Sequence, residues 1–170
     1  MRDAGGLAEL AAETFPMAAP PGTPAKELAD FISHDLSEIR FQEYLQEPGT
    51  VVLVHERDGD LLGYALLQTE RGVAPEPGFG VRNHPSAFLS KFYVRRSSHG
   101  GLVAAPLMDA VKQVASDDLG CKSVWLAVNQ QNHRAARFYD KHGFDRVGVK
   151  RMHVGSLVFD DFVYEFVPKG

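Results

Sequence analysis

The chain has 170 residues, of which 44% are hydrophobic and 24% charged, and its formal net charge is -4. This length and composition predict one globular domain with a buried core, and the acidic balance without a basic stripe argues against a nucleic-acid partner. A single cysteine, Cys121, excludes a disulfide framework and a thiolate metal site. Without a membrane-length apolar run or a signal-like start, we expect a cytoplasmic protein with no membrane partner.

The N-terminal third of the sequence has helical patterns. GGLAELAAETF predicts a helix over 5–15 that ends before the breaker cluster PMAAPPGTP. Thr23 followed by Pro24 predicts the start of a second helix, with a capping hydroxyl and then a proline at the first helical position. Ser37 is predicted to cap a third helix, EIRFQEYLQ, which the residues EPG end.

Strand patterns follow. TVVLVHERDGDLLGYALLQTE contains two β-rich runs around RDGD, which predicts a hairpin. Residues 71–86, rich in glycine and proline, predict a long surface loop of the kind that borders a site. Residues 88–94 are predicted to form the next strand.

The stretch from Tyr93 to Val111 reads as a strand end, a polar turn with two glycines and an amphipathic helix. That layout suits a phosphate, because glycine lets backbone amides approach an anion and a helix N-terminus carries a positive dipole.

The last third of the chain is predicted to contain strands and a helix. KSVWLAV predicts a buried strand, and Asn132 is predicted to cap a helix whose Ala135, Phe138, Tyr139 and His142 share a face. GFDRVGV and SLVFDDFVYEF complete a mixed α/β sheet.

Two blocks of sequence resemble the GNAT superfamily of acyl-CoA-dependent N-acyltransferases. They are KFYVRRSSHGGLVAAPLM and VWLAVNQQNHRAARFYDKHGF, and the second carries the spacing V-N-x-x-N-x-x-A-x-x-F-Y-x-K-x-G-F. The resemblance implies one N-acetyltransferase-like domain over 1–170, with a mixed α/β fold whose central, splayed and mostly antiparallel sheet is flanked by helices. The family's first strand is expected to be shortened or missing, because MRDAGG leaves almost no room for it.

The resemblance also implies a cofactor site for acetyl-CoA as co-substrate, with no metal. Backbone groups of Phe92, Tyr93 and Val94 would bind the pantetheine as a strand would. The full set of implied cofactor-binding residues is Phe92, Tyr93, Val94, His99, Gly100, Gly101, Leu102, Val103, Ala104, Ala105, Asn132, Ala135, Phe138 and Tyr139. Arg95 and Arg96 either assist the phosphates or are solvated surface residues.

The phosphate loop aligns with the family in two frames. One frame places Leu102 on the first glycine of the family motif, and the other places Gly101 there but Val103 on the second glycine. We favour the first frame, which keeps the length from strand to loop. In a helix that starts at Leu102, Pro106 would remove one backbone hydrogen bond, so the first turn would be distorted or would start later.

By resemblance, Tyr139 is the general acid that protonates the leaving thiolate, and its phenol is protonated at neutral pH. No carboxylate lies in AFLSKFYV, so the candidates for the base are His34, Glu38, Glu43 or a water chain. The implied activity is direct transfer of an acetyl group to a primary amine of a small molecule or a protein. The alternatives are a non-catalytic acyl-CoA sensing module and a partner-binding domain; a homodimer is also considered.

Overall fold

The structure is a computed structural model that describes residues 3–98, 102–154 and 157–168. The helices in these ranges are α1 (Asp3–Ala18), α2 (Ala25–Asp35), α3 (Glu38–Gln46), α4 (Ala104–Gln113) and α5 (His133–Lys141). The strands are β1 (Thr50–Arg57), β2 (Asp60–Thr69), β3 (Ser86–Val94), β4 (Ser123–Asn129), β5 (Asp145–Val154) and β6 (Leu157–Phe166). The predicted mixed α/β fold is confirmed, and no strand precedes α1 in the described part of the chain.

The strands form one open sheet that splits in the middle. Its order is β1-β2-β3-β4-β6-β5, and every neighbouring pair is antiparallel except β3 and β4. The parallel pairing of β3 with β4 ends where Phe88 lies opposite Trp125. Beyond this rung both strands continue without pairing to each other, so the sheet opens into a V.

A β-bulge on β3 changes which side chains face the two sides of the V. Leu67 of β2 lies opposite Leu89, whereas the preceding Leu66 lies opposite Lys91, so Ser90 is an extra residue. Side chains normally alternate between faces. The bulge breaks that alternation and places Lys91 on the opposite face from Leu89.

Two hydrophobic cores cover the two faces of the sheet. On one face, α4 and α5 pack on Ala65, Leu67, Leu89, Leu126 and Tyr164, among others. On the other face, α1 and α3 pack on Tyr64 and Leu66. The helices α1–α3 thus cover one side of the V, and α4 and α5 cover the other.

The helix boundaries agree with the sequence analysis at some caps and differ at others. Asn132 Oδ1 accepts from the amide of Ala135 at 3.1 Å, and Ser37 Oγ accepts from the amide of Arg40 at 3.2 Å, so both predicted caps are confirmed. The predicted Thr23 cap is wrong. Pro24 is the N-cap residue of α2, and the Thr23 hydroxyl instead donates to the carbonyl of Pro20 at 2.7 Å.

The first helix runs past Pro16, where the sequence analysis ended it. A proline inside a helix removes one backbone hydrogen bond. Here aromatic packing holds the final turn: the Phe15 ring stacks on Phe31 at a centroid distance of 4.5 Å and meets the edge of Tyr93 at 6.5 Å. The contacts of Phe15 with Phe31 and Tyr93 therefore outweigh the helix-breaking effect of Pro16.

Pro106 is compatible with α4 because the helix starts later than Leu102. The N-cap residue is Val103, and the amide of Leu107 donates to its carbonyl at 3.1 Å. The amides in a first helical turn have no partner within the helix, so Pro106 removes no helical hydrogen bond. Of the two outcomes considered from sequence, the structure has the later start.

The long predicted loop is a strap across the second half of the sheet. It packs the ring of Phe79 at 5.8 Å from Trp125, and its Gly80 lies so close to the Val147 carbonyl that a side chain at Gly80 would clash with it. At its C-terminal end, the Glu70 carboxylate accepts from the amide and hydroxyl of Ser86, both at 2.7 Å. No helix in the described ranges is long and apolar enough to cross a membrane.

Candidate active site

One cavity, which we call the α5 groove, lies between the ends of α1 and β3, the start of α4, and α5, and has a volume of about 390 Å³. Predicted cofactor residues that line it are Phe92, Tyr93, Val94, Ala104, Ala105, Asn132, Ala135, Phe138 and Tyr139. The structure therefore brings together most of the residues that the family resemblance implied, from three separate elements.

The remaining predicted cofactor residues do not line the groove or are not described. Leu102 is 76% exposed in the turn before α4, and the side chain of Val103 is buried in the core. His99, Gly100 and Gly101 lie outside the described residues. The choice between the two alignment frames of the loop thus stays a prediction.

The groove also has cationic residues that the sequence analysis did not select. Arg134 and Lys141 of α5 line it, together with His142. Burial and the charge of Lys112 lower the pKa of His142, with a smaller contribution from Lys141, so its neutral form is favoured. The signal was available in sequence, since Arg134 and Lys141 are seven residues apart and share a helical face.

Arg95 and Arg96 differ in their surroundings. Arg95 Nε lies 3.4 Å from a carboxylate oxygen of Glu13 in α1. Arg96 is exposed in a 3₁₀ turn. Neither arginine lines the α5 groove, whose cations come from α5 instead.

A second cavity, which we call the α1 pocket, opens on the other side of the V and also has a volume of about 390 Å³. Its apolar wall includes Phe15, Phe31, Leu36, Phe88 and Phe159. Its polar lining includes Ser90, Lys91, Asn129, Lys150 and Asp161. Mostly apolar walls with a few convergent polar groups are typical of small-molecule sites.

The two cavities meet at the mouth of the V. They share Ala18, Phe92, Tyr93, Asn132, Ala135 and Tyr139. A molecule in the α5 groove and another in the α1 pocket would therefore touch the same wall.

Tyr139 lies at this junction on α5 and is largely buried. Its ring meets Phe138 and Phe144 edge-on, each at a centroid distance of 5.6 Å. Burial, with a further contribution from the nearby Tyr93 phenol, raises the pKa of Tyr139. Burial also raises the pKa of Tyr93 to about 12. Both phenols are thus protonated at neutral pH and can donate hydrogen bonds into the junction.

The base candidates chosen from sequence lie elsewhere. His34 contacts the carbonyl of Asp30 at 2.9 Å, Glu43 pairs with Arg40 at 2.7 Å, and neither these residues nor Glu38 line either cavity. Asp161 is the carboxylate that lines the α1 pocket, and only 4% of it is exposed. Burial raises its pKa to about 6, although Lys150 and a hydrogen bond with Asn129 oppose the rise.

The described residues contain no group of three or more His, Cys, Asp or Glu side chains placed to hold a metal ion. Cys121 is buried, and burial together with the charge of Glu70 raises the pKa of its thiol. That environment disfavours the thiolate, so Cys121 has the properties of a core residue and not of a nucleophile.

The fold is thus a split α/β sheet with two cavities that meet at a pair of protonated phenols. The chain belongs to the acetyltransferase (GNAT) family, whose family model matches residues 7–144. This result confirms the family that the two sequence blocks indicated.

Known proteins support the same family. An uncharacterized N-acetyltransferase of Mycobacterium tuberculosis (strain ATCC 25618 / H37Rv) is 40% identical over 163 residues, which are 96% of each chain. The PaiA N-acetyltransferase of Thermoplasma acidophilum, solved in complex with coenzyme A, superposes with a TM-score of 0.72 at 19% identity, over 98% of this chain and 94% of that one. A ribosomal-protein-alanine N-acetyltransferase of Brucella melitensis superposes with a TM-score of 0.68 at 19% identity, over 98% and 95%. At these identities the two structures show the fold alone.

Proposed function

We propose that this protein transfers an acetyl group from acetyl-CoA to a primary amine, directly, while both substrates are bound. The observation that carries the proposal is the meeting of the α5 groove and the α1 pocket at Tyr139. The acetyl donor occupies the groove and the amine occupies the pocket.

The groove has the chemistry that CoA requires. The amides of Ala104 and Ala105 open α4 and have no helical partner, so they can bind phosphate oxygens with help from the helix dipole. Arg134 and Lys141 add positive charge for the remaining phosphates. The coenzyme A in the Thermoplasma neighbour agrees with this assignment.

The split sheet provides a place for the pantetheine arm. Between Leu89 and Tyr93, the edge of β3 that faces β4 has no partner strand in the described part of the chain. Such an edge can hydrogen-bond an extended amide chain as a further strand would. The V is therefore a binding surface for the linear part of the cofactor.

Acetyl-CoA supplies a thioester, whose acyl carbon accepts the amine nitrogen and whose C–S bond then breaks. The Tyr139 phenol gives its proton to the departing sulfur, which suits a group that burial keeps protonated. In this proposal a backbone amide on the open edge of β3 donates to the carbonyl oxygen as negative charge develops there. An alkylammonium has a pKa of about 10.4, so at neutral pH the amine must lose a proton before its nitrogen can attack.

The test compares Tyr139→Phe with Tyr164→Phe, which removes a buried phenol that lines neither cavity. Release of free thiol from acetyl-CoA is followed with a panel of amines. We expect Tyr139→Phe to lower kcat about 10²- to 10⁴-fold with the affinity for CoA nearly unchanged, and Tyr164→Phe to have little effect on kcat.

Two results would contradict the proposal. If CoA raises the melting temperature but no amine releases thiol, the protein is an acyl-CoA sensor. If neither CoA nor acetyl-CoA changes the melting temperature or gives heat of binding, the groove is not a cofactor site and a partner-binding role gains support.

A further inference from the structure

The charged residues of the α1 pocket are unusual for a site that accepts a cationic amine. Among the described residues, its lining contains one carboxylate residue, Asp161, and two lysines, Lys91 and Lys150. A pocket built for a polyamine would place several carboxylates around the extra positive charges. In the α1 pocket the lysines outnumber the carboxylates among the described residues, so the surplus charge is positive.

Lys91 is the residue that needs an explanation. It is only 9% exposed, and no carboxylate in the described ranges lies within 4.0 Å of its Nζ atom. Its Nζ atom lies 5.1 Å from the centroid of the Tyr44 ring. A buried cation without an anionic partner is unfavourable, and an aromatic face offsets only part of that energy.

Lys150 is different because Asp161 partly balances it. The two residues lie opposite each other in the β5–β6 pair, and the charge of Lys150 opposes the rise in the pKa of Asp161. Lys150 is also more exposed than Lys91, with Nζ 5.6 Å from the Phe88 ring centroid. The uncompensated charge in the pocket is therefore that of Lys91.

Lys91 and Asp161 lie on opposite arms of the V. Counted from the last rung, Phe88 opposite Trp125, Lys91 is three residues along β3, or about 10 Å. Asn129, which pairs with Asp161, is four residues along β4, or about 13 Å. The backbone positions of Lys91 and Asp161 thus stand at similar heights on the two sides of the opening.

We propose that the α1 pocket binds a small amine that also carries an anionic group, with Asp161 receiving the ammonium group and Lys91 receiving the anion. This inference rests on the proposed acetyl transfer, and it names the class of acceptor for that reaction. Amino acids and other amino-carboxylates carry both charges, and the phenylalanine side chains of the pocket suit the apolar part of such a molecule.

Asp161 also accounts for the proton that the amine must lose. One N–H proton of the bound ammonium passes to an Asp161 carboxylate oxygen, which leaves a neutral nitrogen with a free lone pair. That lone pair forms the new C–N bond, and the C–S bond breaks as the sulfur takes the proton of Tyr139. The nitrogen of the new amide then gives its second proton to the Tyr139 phenolate, which restores the phenol. A carboxylate whose pKa is raised toward neutrality is a better proton acceptor than an ordinary aspartate.

The experiment measures kcat/KM for matched pairs of amines. Phenylalanine is compared with 2-phenylethylamine and 4-aminobutanoate with propylamine, while 1,4-diaminobutane serves as a dication. The wild-type protein should favour the acid-bearing member of at least one pair by tenfold or more and should disfavour the dication. In Lys91→Met that preference should fall about 10- to 100-fold, the size expected from loss of one charge-assisted hydrogen bond.

Matched variants separate this inference from general damage. Lys26→Met changes an exposed lysine of α2 and should leave the preference unchanged. If Lys150→Met removes the preference and Lys91→Met does not, the assignment to Lys91 is wrong. If the wild type prefers the plain amines or the dication, the inference is wrong while the proposed acetyl transfer stands.

A binding measurement covers the case of slow turnover. With CoA present, phenylalanine or 4-aminobutanoate should raise the melting temperature of the wild type and not that of Lys91→Met. If neither compound is acetylated and neither shifts the melting temperature, the inference is refuted. A failure of CoA itself to bind would instead refute the proposed function.

Discussion

Asp161→Asn should stabilise the protein while it removes the proposed base. The side chain is 4% exposed, and burial raises its pKa from the ordinary value of 3.8 to about 6. A shift of this size corresponds to about 3 kcal/mol of unfavourable free energy for the ionised carboxylate in the folded state. Asparagine has the same shape and carries no charge, so we expect a gain of about 1–3 kcal/mol at pH 8.

The sign of the effect depends on pH. Below pH 3.8 the carboxyl group is protonated in both the folded and the unfolded chain, so its stabilising contribution is fully present. As the pH rises through about 6, the folded protein loses its bound proton and that contribution is lost. The gain from Asp161→Asn should therefore be full at pH 8 and absent near pH 3.5.

Urea denaturation at both pH values measures this difference, because comparing variant and wild type at each pH cancels the titration of the other carboxylates. Asp160→Asn is the matched control. Its side chain is 50% exposed and pairs with Arg151 at 3.4 Å, so its replacement should change stability by less than about 0.5 kcal/mol. A loss of stability from Asp161→Asn at pH 8 would refute the reasoning and would mean that Lys150 and Asn129 fully compensate the buried charge.

Two further predictions concern the loop and the strap. Leu102→Gly should change the affinity for CoA, measured by calorimetry, by less than about threefold, because the leucine is 76% exposed and does not line the groove. A tenfold loss of affinity would show that Leu102 contacts the cofactor. Glu70→Ala should lower the free energy of unfolding by about 2–3 kcal/mol at pH 7, because it removes two hydrogen bonds to Ser86 and the contact with His84. Burial raises the pKa of Glu70, but the hydrogen bonds with His84 and Ser86 lower it by more, so the net pKa is below the ordinary value. The loss of stability in Glu70→Ala should therefore shrink as the pH falls below 4, and an equal loss at pH 3 would contradict this account.

Local patterns sufficed for most of the fold. The turn at Asp58 and Gly59 has positive φ at both residues, 53° and 86°, as the RDGD hairpin pattern predicts. The caps at Ser37 and Asn132 were also predictable, because a capping side chain acts on an amide three residues away. In contrast, α1 continues through Pro16 because Phe31 packs on its last turn. A local pattern could not predict this contact, since Phe31 is distant in sequence.

Of the candidate site, only the α5 groove was predictable from the sequence. Its residues lie in two continuous blocks, so a resemblance could place them. The α1 pocket instead depends on the bulge at Ser90, which directs Lys91 into the pocket, and on a strand far along the chain that brings Asp161 opposite. In the sequence Asp161 is one of three carboxylates in LVFDDFVYEF, and only the strand order reveals what it faces.

The packing at the closed end of the V determines where the far end of β3 lies. Phe88 and Trp125 stack there at a centroid distance of 4.1 Å. From that vertex to Val94, β3 extends six residues, or about 20 Å, so a tilt of about 5° would move the strand end by about 2 Å. Group transfer is sensitive to displacements of about 1 Å. A smaller residue at Trp125, which lines neither cavity, would thus act by changing the angle between β3 and β4 and would lower the rate of the proposed transfer from a distance.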